Sequence, residues 1–79
     1  MLKAEDLEKM QVEKKAEAQK YADRINKFTD EILKLRNEVG YNADSDRRIR
    51  TCRRIITTDR RMMAFVDGQL DILNIMLQN

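Results

Sequence analysis

Seventy-nine residues, 42% hydrophobic and 38% charged, leave room for one small domain with a modest core. The chain has no histidine and one cysteine, Cys52, which excludes an intrachain disulfide and leaves a zinc or haem site almost without ligands. No stretch approaches the roughly 20 uncharged apolar residues of a membrane span, and Lys3, Glu5 and Asp6 interrupt any secretory apolar segment. No cofactor is expected, and the expected compartment is the cytoplasm.

The net charge of +2 is unevenly placed. Residues 1–20 balance five lysines against five acids, and residues 21–46 carry four bases and six acids. Residues 47–79 hold seven arginines, three aspartates and no lysine. Proline is absent, glycine occurs twice, and strong helix formers dominate, so the predicted fold class is all-α.

A seven-residue repeat starts at Ala4 and runs through Leu7, Gln11, Lys14, Ala18, Tyr21, Ile25, Phe28, Ile32, Leu35 and Val39. These are the a and d positions of a coiled-coil seam, apolar throughout from Ala18 onward. The first twenty residues read as a solvated helix with opposite charges at helical spacing, such as Glu5 and Lys9. Gly40 stands where a helix C-terminus favours a left-handed residue, with Tyr41 as its apolar closure. Asn42, Asp44 and Ser45 are good N-caps for a second helix. The chain thus reads as a single hairpin over residues 1–79: helix over about 2–39, turn at 40–45, helix over about 45–78. At ~1.5 Å per residue each helix is on the order of 50–57 Å long. So short a turn permits only an antiparallel return.

The second helix repeats as Ile49, Cys52, Ile56, Asp59, Met63, Val66, Leu70, Leu73 and Leu77. Folding about residue 42 sets Leu35 by Ile49, Ile32 by Cys52, Phe28 by Ile56 and Tyr21 by Met63. The same register faces Glu38 with Arg48 and Lys15 with Asp67, exposed pairs that support it without driving it. Asp59 falls in the seam opposite Ile25; a shift of the seam onto Met62, leaving Asp59 near solvent, is the expected resolution. Leu70 and Leu73 would meet Lys14 and Gln11, which is poor packing.

Apolar residues fill about half the circumference of the second helix between Met62 and Leu77, where one neighbour needs only about 100°. Two partners are therefore implied, and the hairpin supplies one. The expected oligomer or partner interface comprises Met62, Phe65, Val66, Leu70, Ile72, Leu73, Met76 and Leu77. It would complete a helical bundle with a second copy of the chain, as a homodimer or larger, or with a larger helical protein.

The arginines fall at 47, 48, 50, 53, 54, 60 and 61, with Asp59 the one acid among them. Most project away from the seam as a basic ridge whose planar guanidinium groups suit carboxylate or phosphate. Arg47, Arg50, Arg54 and Arg61 form its candidate docking surface. The ridge has no aromatic residue for base stacking and no recognised nucleic-acid motif. It therefore reads first as a solvated or protein-docking face, able also to pair with Asp23, Asp30, Glu31 or Glu38. Thr57 and Thr58 have no histidine to activate them, and two long helices enclose no catalytic cleft. The expected function is a non-enzymatic protein–protein interaction or assembly module. The alternative is a dimeric bundle that binds RNA or DNA through the arginine ridge.

Overall fold

The computed structural model describes residues 3–39 and 42–78, except the side chains of residues 38 and 39. The expected helix-ending role of Gly40 and Tyr41 lies outside the described residues. Helix α1 spans Ala4–Lys34 and continues as a π-helical turn over Leu35–Val39; α2 spans Ala43–Gln78. The two helices lie against each other along a rod 57 × 15 × 15 Å. This is the predicted hairpin.

Lys3 stands at the N-cap of α1, although its ammonium offers no acceptor to the first backbone amides. Instead Asp6 reaches back and its carboxylate accepts the Lys3 backbone N–H at 3.3 Å. At the other end α-geometry stops at Lys34, five residues before the expected boundary, and the backbone widens into the π turn. Asn37 and β-branched Val39 are weak helix formers, so little is lost locally when this turn leaves α-geometry.

Helix α2 begins at Ala43, two residues earlier than expected, because Asn42 takes the cap. The Asn42 side-chain oxygen accepts the Ser45 N–H at 2.8 Å, and the Ser45 hydroxyl oxygen accepts the Asn42 N–H at 3.2 Å. This reciprocal box satisfies two end donors at once. Asp44 and Asp46 lie in the first turn, where carboxylates suit the positive end of the helix dipole.

The core follows the seven-residue repeats. Ile32, Cys52 and Ile56 form its centre, with Ile25, Phe28 and Ile49 packed around them. Leu7, Val66 and Leu73 are buried toward the open end of the hairpin. No described helix is long and apolar enough to cross a membrane.

Several expected pairings are corrected. Asp59 is buried at 3% exposure while Met62 stays 40% exposed, so the seam does not shift onto Met62. Asp59 keeps its seam position because Arg24, at the edge of α1, brings its Nε to 3.3 Å from Oδ2. The contact is ionic only; Oδ2 has no hydrogen bond. Arg48 pairs with Glu31, one heptad before its expected partner Glu38, whose side chain lies outside the described residues. Lys15 and Asp67 form no ion pair, nor do Glu5 and Lys9. Such exposed partners gain too little to hold long side chains in place.

Gln11, expected opposite Leu73, donates from its amide to the side-chain oxygen of the adjacent Asn74. Leu73 shares a groove with Leu7 and Lys14, whose ammonium turns to Glu17 at 3.3 Å. That separation of stem from charge lets Leu73 bury to 5% exposure.

Candidate assembly surface

The eight residues expected at the interface divide between two sides of α2. Val66 and Leu73 are buried in the intrachain seam, and Leu70 and Leu77 are half-buried along its margin. Met62, Phe65, Ile72 and Met76 remain outside, with Phe65 63% and Ile72 60% exposed. They fall within about 80° of one another at ~100° per residue, so they make one continuous line on the flank of α2. Scattered apolar side chains on a surface need no explanation, whereas a row on one helix face does.

Two further residues widen this strip. Ile75 follows Ile72 at i+3 and is 59% exposed. Met10 on α1 joins it across the groove lined by Leu7, Met10, Lys14, Gln69, Ile72, Leu73 and Met76. Ile75 was within reach of the helical count; Met10 emerges only once the two helices are placed in register. Gln69 interrupts the strip, and its side-chain oxygen is buried without a hydrogen bond.

The arginine ridge also resolves into parts. Arg47, Arg50, Arg54 and Arg61 are exposed and have no ion pair to any described residue. Arg53 and Arg60 turn to the other side, where they line a groove with Thr29 and Leu33 of α1 and Arg36 of the π turn. Of the acids expected to answer the ridge, Glu31 alone does so among the described side chains, and it takes Arg48.

Arg48 Nε and Nη2 donate to the two Glu31 carboxylate oxygens at 2.7 and 3.0 Å. The guanidinium carbon also lies 5.9 Å from the centre of the Phe28 ring, within cation–π range. This bidentate pair ties the first turns of α2 to α1. The Cys52 thiol donates to Glu31 Oε2 at 3.5 Å. Burial, followed by the neighbouring Glu31 carboxylate, pushes the Cys52 thiol above its ordinary value and keeps it protonated and unreactive.

The hydrogen bond from Arg48 holds the Glu31 carboxyl below its ordinary value of 4.5. A carboxyl depressed in the folded state contributes stability above its unfolded value and loses it as pH falls through the folded value. The melting temperature is therefore expected to fall on acidification below about 4.5, with a smaller fall in Glu31→Gln than in the parent. Thermal melts of both proteins across that range check this; identical slopes would remove Glu31 from the account.

Among the described residues, no group of three or more His, Cys, Asp and Glu side chains is placed to hold a metal ion. No protein-family model matches this chain, no curated protein matches it, and no solved structure matches it.

Proposed function

We propose that this chain is a non-enzymatic assembly module of the cytoplasm, a helical hairpin that completes its core with helices from outside itself. The observation that carries this reading is the shared exposure of Met62, Phe65, Ile72 and Met76 along one flank of α2. The apolar arc of α2 is twice the width one neighbour covers, and α1 takes the half that holds Val66 and Leu73. A second helical surface, from another copy or from a larger helical protein, fits the other half. Where folding is coupled to assembly, stability depends on protein concentration. The melting temperature is expected to rise with concentration across the micromolar range; a value independent of concentration would count against the reading.

A second reading has one specific support, the exposed arginines Arg47, Arg50, Arg54 and Arg61, which make no ion pair with any described residue. They make a surface able to contact the phosphates of RNA or DNA. Contacts of that kind release counterions, so affinity falls steeply with salt. As an assembly module, the protein should bind labelled RNA and DNA weakly and lose them near ~0.15 M salt. Tight binding at that salt, abolished by changing the four arginines to glutamine with helicity and mass intact, would move the function to this ridge.

A further inference from the structure

We propose that the occupant of the outer strip is a second copy of this chain, its α2 lying antiparallel on the first about a two-fold axis at Gln69. The inference rests on the assembly reading and names the partner of the same surface.

Gln69 supplies the first argument. Its side-chain oxygen is buried in the middle of an apolar groove with no hydrogen bond. The hairpin itself encloses that oxygen, so a partner reaches it only when the side chain turns outward. A carboxamide carries both donor and acceptor, so two copies of Gln69 turned toward each other on an axis satisfy one another: each N–H donates to the other's oxygen.

The strip is also complementary to itself. Met62 and Met76 lie seven residues on either side of Gln69, while Phe65 lies four before it and Ile72 three after. Antiparallel pairing about Gln69 therefore sets Met62 against the second copy's Met76 and Phe65 beside its Ile72, within one residue of register. Two-fold interfaces have this property, in which each contact occurs twice with the copies exchanged.

Charge does not oppose the pairing. Asp67 and Asp71 project from the far side of α2 at ~100° per residue, so the axis opposes no carboxylate to its own copy.

The available area is of the right order. Met10, Met62, Phe65, Ile72 and Met76 are 39–63% exposed. At roughly 200 Å² per large apolar side chain, covering them removes about 500 Å² per copy. About 1,000 Å² for the pair, before any polar rim is added, is the size a specific interface must clear.

Single cysteines on a Cys52→Ala background test the arrangement. Under mild oxidation Gln69→Cys should yield a covalent dimer, and Met62→Cys or Met76→Cys alone should yield little. A mixture of the Met62→Cys and Met76→Cys proteins should crosslink between them. Spin labels at the same positions give a reading that needs no bond formation. Labels at 62 in both copies should lie roughly 20 Å apart along the axis, from 14 residues at ~1.5 Å, and labels at 62 and 76 close together. Self-crosslinking of Met62→Cys with short 62–62 distances would overturn the antiparallel inference and leave the assembly reading standing. Assembly with neither set of contacts would overturn it as well. A parent protein that is monomeric at every concentration would overturn both.

Discussion

Changing Phe65 and Ile72 together to glutamate is expected to convert the assembled protein into helical monomers. Both side chains are about three-fifths exposed in the hairpin, so neither substitution disturbs the intrachain seam around Val66 and Leu73. Glutamate is also a good helix former, and α2 should keep its helicity. In the assembly both positions are covered, and each copy would bury two carboxylates. Lys14, the basic side chain in the groove beside Ile72, already turns its ammonium to Glu17. Burying an unpaired charge costs several kcal/mol even after relaxation. With two per copy, a weakening of at least about a thousandfold, or ~4 kcal/mol, follows. Sedimentation at a concentration where the parent is assembled, with circular dichroism alongside, checks the result. An unchanged mass would mean that this flank is not the interface.

The second large effect concerns Asp59, a carboxylate at 3% exposure in an otherwise apolar seam. Arg24 lies 3.3 Å away, and its side chain is 54% exposed. Removing the arginine leaves a buried charge with no counter-charge, which costs about 3–5 kcal/mol where both partners are buried. Solvent around Arg24 reduces this, and Arg24→Ala is expected to lower stability by about 2 kcal/mol. Removing the carboxylate acts in the opposite direction. Asp59→Leu replaces a desolvated charge by an apolar side chain against Ile25 and is expected to raise stability by about 1–2 kcal/mol. For a chain of this size each kcal/mol moves the melting temperature by roughly 4–8 °C. Urea unfolding of the three proteins at one concentration measures both changes. Loss of stability in Asp59→Leu would show that the Arg24–Asp59 pair is a net contributor.

Asp59 also shows where the sequence is legible and where it is not. The 3–4 spacing of apolar residues identifies the seam because a helix face is covered or open as a unit, and every residue found buried on α2, Ser45 apart, belongs to the predicted seam. The same spacing cannot say whether a polar residue within the seam is tolerated. That depends on Arg24, thirty-five positions away along the chain and adjacent only once the helices pair. Arg48 escaped for the same reason, because rotamer reach selects Glu31 where helical register alone pointed to Glu38. The π turn at Leu35–Val39 carries no periodic signal, since it changes backbone hydrogen bonding without changing the apolar pattern. The outer strip was visible because Phe65, Ile72 and Met76 exceed what one neighbour can cover. The buried oxygen of Gln69 was not, because sequence places the residue without revealing the burial of one atom.

Sedimentation equilibrium of the purified chain, followed across the micromolar range, tests the central claim most directly. A species of two or more chains is expected, fully helical, whose dissociation on dilution is accompanied by loss of stability. A well-folded helical monomer at every concentration would contradict it, because the strip of Met62, Phe65, Ile72 and Met76 would then need no partner.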